Sequence, residues 1–597
     1  MHFDITAQIL LRPGRAVFHT SSCPPRFLFL VREQHYVSRK ISRLKGFVVL
    51  ADSTGARRPT SSRKVYKQSQ AQAPLSSVPV KEIASFIVPV GAFVVATFVL
   101  WKLVEKLLLP KPVGTPSSSQ DKPAANGVKW SIAPGTNLLS GFGAKIERES
   151  KQKLNEFAQE LRAFRSVDMS VRNFGDEGLF FLAESLAYNQ TAEEVNFTAN
   201  GITEAGIKAF DGVLQSNTVL KTLNLSGNPI GDEGAKCLSE ILKNNSGIQM
   251  LQLNSTGIGD EGAKAISEML KINSSLLILE LNNNMIDFSG FQSIAAALLE
   301  TNTLQSLSLT GNYGGPLGAS ALEKGLEGNR SLRVLNLNGN SIGDEGVRTL
   351  MSGLFERKGR IQHLDISNNS ISVKGAHHIA EFVKRSKSLL LLNLYMNDIG
   401  DEGAEKMAEA LKENRSITNL DLGGNNIHTR GANAIAQVLK DNSIITNLEF
   451  GYNPIGPEGA KAFADVLKFH GNIKVLSLGW CQIGVKGAEY IADTLKYNST
   501  ISTLDLRANG LRDEGAMCLA RSLKVVNEVL TSLDLAFNEI RDEGAFAVSQ
   551  ALKANEEIRL TSLNLASNLL TRLGQTALTD ARDHVFEMTE KEIAINF

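Results

Sequence analysis

Residues 335–346 read LNLNGNSIGDEG, and residues 223–234 read LNLSGNPIGDEG. Relatives of this string recur along the chain, with a step of 28 residues that lengthens to 29 or 30 at the three copies ending at Gly375, Gly544 and Gly574. A step this regular indicates a repeat architecture in which each copy forms one structural unit. The copies end at Gly178, Gly206, Gly234, Gly262, Gly290, Gly318, Gly346, Gly375, Gly403, Gly431, Gly459, Gly487, Gly515, Gly544 and Gly574.

Each copy has the pattern of a short strand followed by a helix. The opening LxLxxN alternates apolar and polar residues, which is the period of a strand with one buried face. Its sixth position is Asn in 12 of the 15 copies, and an Asn side chain can donate to and accept from backbone groups where the strand ends. In the GDEG that follows, we expect the Asp to cap a helix start and the Glu to favour the positive end of that helix.

One such unit cannot bury its apolar face alone, whereas stacked units share a continuous core. Neighbouring strands lie about 4.8 Å apart, but neighbouring helices need roughly 10 Å. We therefore predict an α/β solenoid over residues 166–574, a horseshoe of about 15 repeats with parallel strands on the concave face and helices outside. Residues 575–597 are predicted to cap its last end, and residues 141–165 its first end, through an apolar helical stripe of Leu154, Phe157, Leu161 and Phe164.

The pattern LxxLxLxxNxIGDEGAxxLAEALKxN at a 28-residue step resembles the ribonuclease-inhibitor type of leucine-rich repeat. Its uniform step is similar to that of the sensing domains of CARD-containing NOD-like receptors. The resemblance covers about residues 166–574 and implies a protein that recognises other proteins through the inner face of the horseshoe. It implies no single activity, because one fold serves many functions.

The first 80 residues are basic, with 13 Lys and Arg, 14 Ser and Thr, and only three acids, Asp4, Glu33 and Asp52. An acid-poor start rich in Arg and Ser is typical of organelle import sequences. We expect a chloroplast transit sequence over residues 1–80. A mitochondrial presequence and a basic tail without a targeting role are the alternatives.

Residues Ile83–Trp101 form a run of 19 residues without a charge. As a helix at ~1.5 Å per residue this run is about 28 Å long, close to the roughly 30 Å hydrocarbon core of a bilayer. We predict one transmembrane helix within residues 82–109, followed by a Pro/Ser-rich linker over residues 110–140; a buried helix of the folded domain is the alternative. The transit-like start and the membrane helix together resemble plant organelle members of the ribonuclease-inhibitor-like superfamily, which implies a single-pass protein of a chloroplast or mitochondrial membrane.

The solvent-facing strand positions change character along the chain. Early copies have small polar residues there, such as Asn224 and Ser226, whereas later copies have aromatic residues and Arg beside acids, the usual composition of binding hot spots. We predict a protein-binding patch on the concave face that prefers a basic or mixed-charge partner segment; the alternative is that the rings stack on each other and only cover the sheet. The patch comprises Tyr395, Met396, Tyr452, Trp480, Arg507 and Phe537 with the acids Asp421, Glu449, Asp505 and Asp534.

Nothing in the sequence indicates chemistry. The motifs GxxxxGK[ST] and HExxH are absent, and the four cysteines are too far apart to indicate a disulfide scaffold or a zinc site. Subtracting the first 80 residues from the totals of 63 and 62 leaves 50 basic and 59 acidic residues, which disfavours nucleic-acid binding. We expect no catalytic residue, metal or cofactor. A GTPase-activating protein resembling the Ran type and a ribonuclease-inhibitor-like enzyme inhibitor remain as alternative functions.

Overall fold

The computed structural model describes residues 140–597, except 358, 470, 525–528 and 556, and it describes side chains from residue 151 onward. All the described residues belong to one compact unit of the chain. The predicted transit sequence and the predicted membrane helix Ile83–Trp101 lie outside the described residues. Among the helices that are described, none combines the length and the hydropathy needed to cross a bilayer.

The described part of the chain contains sixteen short strands, which form one parallel sheet in chain order. The register joins equivalent residues of successive repeats, such as Leu223 with Leu251 and Leu420 with Leu448, so the sequence period is a spatial period. The strands are β1 Ser166–Asp168, β2 Glu194–Asn196, β3 Thr222–Asn224, β4 Met250–Gln252, β5 Ile278–Glu280, β6 Ser306–Ser308, β7 Val334–Asn336, β8 His363–Asp365, β9 Leu391–Asn393, β10 Asn419–Asp421, β11 Asn447–Glu449, β12 Val475–Ser477, β13 Thr503–Asp505, β14 Ser532–Asp534, β15 Ser562–Asn564 and β16 Ala594–Asn596.

One α-helix precedes β1, and one follows each strand from β1 to β15. Each helix packs against the helix of the next repeat, and together they form a second layer. The helices are α1 Ser140–Ala163, α2 Gly175–Ala187, α3 Glu204–Ile207, α4 Gly231–Leu242, α5 Asp260–Ile272, α6 Phe288–Glu300, α7 Gly315–Gly328, α8 Gly343–Glu356, α9 Val373–Arg385, α10 Gly400–Glu413, α11 Thr429–Val438, α12 Gly456–Leu467, α13 Gly484–Leu495, α14 Arg512–Lys524, α15 Asp542–Ala554 and α16 Arg572–Thr589; a 3₁₀ turn, Lys208–Phe210, continues α3.

The core lies between the sheet and the helices. In the repeat of β3, Leu223 and Leu225 are buried together with Leu238 and Leu242 of α4, and equivalent residues of the other repeats join them in one apolar cluster. Outer residues of β3 stay partly exposed on the other side of the sheet. We call that side, which is the predicted concave face, the open face. The predicted α/β solenoid of about 15 repeats is confirmed.

The strand-end asparagines, at the sixth position of LxLxxN, tie each repeat to its neighbours as expected. Asn228 donates through Nδ2 to the carbonyl oxygens of Phe197 and Leu225, both at 2.9 Å. Its Oδ1 accepts a hydrogen bond from the backbone N–H of Asn200 at 2.9 Å. These bonds satisfy buried backbone groups that the short strands leave unpaired.

A second set, the helix-end asparagines, was not identified from the sequence. Asn217 donates through Nδ2 to the carbonyl oxygen of Leu186 at 2.8 Å, and its Oδ1 accepts from the N–H groups of Val219 and Leu220, both at 2.9 Å. An Asn that recurs at the 28-residue step after many of the helices is the signal that could have revealed this set. The equivalent amides belong to Asn189, Asn245, Asn273, Asn329, Asn414, Asn442, Asn498 and Asn555.

The aspartate of GDEG caps a helix, but this helix belongs to the next repeat. Asp232 Oδ1 accepts from the N–H groups of Gly259 at 2.7 Å and Gly262 at 3.0 Å, at the start of α5. Its own helix, α4, begins without a side-chain cap. The local sequence suggests a cap within the same repeat. The actual partner is 27 residues away and comes close to Asp232 only when the repeats stack. Equivalent bonds are made by Asp176, Asp260, Asp344, Asp401, Asp513 and Asp542.

At each end of the described solenoid, one detail differs from the prediction. Leu154 and Leu161 of α1 are buried as predicted, but Phe164 follows the end of the helix and is 59% exposed, so its assignment to the apolar stripe was wrong. At the other end, β16 pairs in parallel with β15 and extends the sheet by one strand. Since β16 lacks LxLxxN, no repeat signal marks it in the sequence.

Candidate functional site

The fifth position of LxLxxN has a left-handed backbone that normally favours glycine. Its φ is +60° at Tyr452, +60° at Trp480 and +58° at Phe537. In this region the Cβ atom of an L-residue crowds the following carbonyl oxygen, at a cost of about 1–2 kcal/mol. Apart from Val171, earlier repeats have small or polar residues at this position, for example Gly227 and Gly339. Bulky rings at a strained position call for an explanation beyond folding.

Four rings form a continuous row across β9–β14, which we call the aromatic row: Tyr395, Tyr452, Trp480 and Phe537. The ring centroids of Tyr395 and Tyr452 are 6.2 Å apart at 79°, and those of Tyr452 and Trp480 are 5.7 Å apart and nearly parallel at 10°. Trp480 and Phe537 follow at 6.5 Å. The structure therefore brings together four of the predicted site residues, which span six repeats.

Small residues of an intervening repeat make room for the start of the row. A Cβ atom added to Gly423 would lie 2.9 Å from Cδ2 of Tyr395, and one added to Gly424 would lie 2.6 Å from Sδ of Met396. Both distances are shorter than carbon contacts allow, so glycine is required in β10's repeat for these two side chains to lie as they do.

The row is only partly covered by its own stacking. Trp480 remains 39% exposed and Phe537 42% exposed, whereas Tyr395, Met396 and Tyr452 are half-buried. The ring stacking that the alternative interpretation predicts is present. It still leaves two large apolar side chains on the open face.

Three of the five predicted charged residues, Arg507, Asp505 and Asp534, form a cluster. Arg507 Nε lies 2.7 Å from Oδ2 of Asp505, and the same nitrogen lies 3.9 Å from Oδ2 of Asp534. Burial alone would lower the pKa of Arg507, but the hydrogen bond and the charge of Asp505 outweigh it and raise the pKa. One cation thus lies between two carboxylates, and these three residues together carry one negative charge.

The acids at the second position of LxLxxN also have a structural role that the sequence analysis missed. One carboxylate oxygen of Asp421, Asp505 and Asp534 accepts from the N–H two residues later, each at 2.9 Å. Asn224 closes the same turn in an early repeat. The turn therefore explains the preference for Asp or Asn here, and one oxygen of each Asp is already engaged. Glu449 occupies the equivalent position and is partly exposed.

Two further observations concern metal binding and surface cavities. Among the described residues, no group of three or more His, Cys, Asp and Glu side chains is placed to hold a metal ion. A surface cavity of about 380 Å³ lies away from the open face, on the loops that precede β6 and β7.

Comparison with known proteins finds one family model that matches several segments of the chain. The family model described as "Leucine Rich repeat" matches residues 216–239, 245–267, 328–351, 385–408, 413–436, 441–464, 472–492, 497–520 and 526–549. Each matched segment has the length of a large part of one repeat. A search of curated proteins finds no match to the chain.

Several solved structures are similar to parts of the chain. Leiomodin-1 actin-binding site 2 is 26% identical over 21% of this chain and 73% of its own, with a TM-score of 0.18. An internalin from Listeria monocytogenes is 20% identical over 68% of this chain and 86% of its own, with a TM-score of 0.34. A chain of the Rad7 and Elc1 complex in yeast is 14% identical over 73% and 95%, with a TM-score of 0.38.

Proposed function

We propose that this chain, whose body is built of leucine-rich repeats, is a non-enzymatic scaffold that binds a protein partner on the open face of the sheet. The observation that carries the proposal is the left-handed backbone under Tyr452, Trp480 and Phe537. Glycine would occupy these positions without strain. Large rings retained there, and left partly exposed, are consistent with a binding role.

The chemistry of the patch supports a partner segment with an apolar anchor and a basic or mixed-charge flank. An apolar or aromatic partner residue packed on Trp480 and Phe537 would remove their remaining apolar surface from water. A partner Lys or Arg beside them would face the carboxylates of Asp505 and Asp534 and could contact the face of Trp480. Glu449 would add to the attraction.

The test is capture of partners by the full-length chain from organelle extract. We expect Trp480→Ala and Phe537→Ala each to remove at least one partner that the wild-type chain captures. The matched control is Tyr313→Ala, which removes an aromatic ring that is 69% exposed but lies on a loop outside the open face. If Trp480→Ala and Phe537→Ala capture the same partners as wild type, the patch is not the binding site.

We also propose that the scaffold is of the ribonuclease-inhibitor-like type and is tethered to a chloroplast membrane. The 28-residue step supports the first part, and the acid-poor residues 1–80 with the uncharged run Ile83–Trp101 support the second. Import of the full chain into isolated chloroplasts and mitochondria, followed by carbonate extraction, tests it. Deletion of residues 83–101 should release the imported protein into the soluble fraction; release of the wild-type chain by carbonate would contradict the anchor.

A further inference from the structure

Four arginines without a carboxylate partner lie on two successive loops at the edge where helices lead into strands. Arg330 and Arg333 precede β7, and Arg357 and Arg360 precede β8. In the part of the chain that the structure describes, none of the four forms a salt bridge; Arg333 instead donates through Nη1 to the carbonyl oxygen of Arg360 at 3.3 Å. Such a cluster is unexpected because residues 81–597 are acidic overall.

Arg330 and Arg333 line the surface cavity of about 380 Å³ described above. Every lining side chain carries an N–H or O–H donor, and none carries a carboxylate. The lining is completed by Asn302, Thr303, Gln305 and Ser331. A cavity lined by two arginine residues and otherwise only by neutral residues is suited to an anion.

Arg357 adds a buried positive charge behind the same loop. It occupies the position of a helix-end asparagine and is 8% exposed; its Nη2 donates to Oδ1 of Asn329 at 3.1 Å and to the carbonyl oxygen of Leu332 at 2.6 Å. Nε and Nη1 are buried without a hydrogen-bond partner. Burial, together with the charge of Arg333, lowers the pKa of Arg357 to about 10. A buried charge without a counter-ion is costly, so an anion nearby would stabilise this loop.

The chain itself provides an internal comparison at the same edge. Arg165, Glu193 and Lys221 occupy, in the first three repeats, the position that Arg333 occupies later. There Glu193 pairs with Arg165 and, at 2.7 Å, with Nζ of Lys221, and these hydrogen bonds lower the pKa of Glu193. The residue equivalent to Glu193 next to Arg333 is Gln305, which is uncharged. At this edge the first three repeats therefore contain a carboxylate, Glu193, beside the basic residues, whereas the equivalent position beside Arg333 contains none.

We propose that the cavity lined by Arg330 and Arg333 binds the dianionic phosphate group of a phosphate monoester. Guanidinium groups present paired N–H donors that match phosphate oxygens, and the two charges of the ligand match the two cations. The hydroxyl groups of Thr303 and Ser331 and the amide of Gln305 are donors for the remaining oxygens. A carboxylate has fewer oxygens and half the charge, so it satisfies fewer of these donors. The site is separate from the open face and does not depend on the proposed partner binding.

Calorimetric titration of the purified full-length chain in detergent, at constant ionic strength, tests the proposal. Inorganic phosphate and O-phosphoserine should bind saturably, and acetate should not. Arg330→Gln/Arg333→Gln should weaken phosphate binding by about ten-fold or more, because two charge-assisted contacts are lost. The matched control, Arg165→Gln/Lys221→Gln, removes two cations from the same edge and should leave phosphate binding unchanged. Equal weakening in both double variants would mean general attraction of anions and would overturn the site.

A second variant separates loss of the site from loss of the fold. Gln305→Glu places a carboxylate beside Arg333, as Glu193 lies beside Lys221, so the protein would supply its own anion. We expect this variant to lose phosphate binding while its melting temperature stays at or above that of wild type. Phosphate binding of wild-type strength in Gln305→Glu, or acetate binding as tight as phosphate binding in the wild-type chain, would refute the assignment.

Discussion

The early repeats, β1–β8, and the later repeats, β9–β14, share one backbone and differ on the open face. In both regions the middle residue of each strand is buried and the register steps by one repeat. Asn228 in the early region and Asn453 in the later region make the same kind of strand-end bonds. At the fifth position of LxLxxN, however, Gly227 in one region corresponds to Tyr452 in the other, with φ of +68° and +60°.

This difference distinguishes the positions at which the fold requires a particular residue from those at which it accepts several. Leucine, asparagine and aspartate are required where they bury apolar surface or satisfy backbone groups. The fourth and fifth positions of LxLxxN are not required in this sense, since Ser226 and Gly227 serve as well as Gly451 and Tyr452. Stacking between the rings returns about 0.5–1.5 kcal/mol per pair, which is of the same size as the strain of about 1–2 kcal/mol for a ring in the left-handed region. Stacking and strain thus nearly cancel, which is why we propose a binding role for these rings.

The largest expected effect tests whether the scaffold is equivalent in the two regions. Asn228→Ala and Asn453→Ala each leave at least two carbonyl oxygens and two N–H groups without their side-chain partner. We expect each to lower the free energy of unfolding by about 3 kcal/mol, because buried polar groups lose their hydrogen bonds. Urea denaturation followed by circular dichroism measures this. A large loss in one region only would show that the two scaffolds are not equivalent.

A smaller effect is expected from the cross-repeat caps. Asp232→Ala in the early region and Asp401→Ala in the later region remove the bonds to the next helix start and should each cost about 1 kcal/mol. Glu233→Ala is the control, since this neighbour pairs only with exposed Lys236. Thermal melts of these variants test whether the Asp of GDEG, and not the Glu, stabilises the helix start. A cost in Glu233→Ala as large as in Asp232→Ala would contradict the cross-repeat cap.

The sequence predicted the strands, the repeat register and the strand-end asparagines, because each copy of the repeat contains the pattern that indicates them. It did not reach contacts whose partners belong to another copy, such as the bond from Asp232 to Gly259 or that from Asn217 to Leu186. For the candidate site it predicted which side chains lie on the open face, since position within LxLxxN decides exposure. It could not order the rings, because the contact between Tyr395 and Tyr452 passes over a whole repeat and depends on its glycines.

A still smaller effect measures the backbone strain at the fifth position directly. Trp480→Gly should leave the chain about 1 kcal/mol more stable than Trp480→Ala, because glycine adopts the left-handed conformation freely. In the early region, Gly227→Ala should cost about the same amount for the same reason. Comparison of the melting temperatures checks both. If Trp480→Gly is no more stable than Trp480→Ala, the position is unstrained and the argument from strain to binding fails.

The smallest expected change in stability comes from substitutions that break charged pairs. Their effect on partner binding is more informative than their effect on folding. Arg507→Gln breaks a partly exposed pair with Asp505, and Lys221→Gln breaks an exposed pair with Glu193 in the early region; each should alter stability by at most about 1 kcal/mol. Only Arg507→Gln makes the patch more negative, so a basic partner segment should associate faster with it, most clearly at low salt. Association rates at two salt concentrations measure this. Slower association of Arg507→Gln would mean that the partner presents an acidic group to Arg507, and the predicted charge preference would then be reversed at this end of the aromatic row.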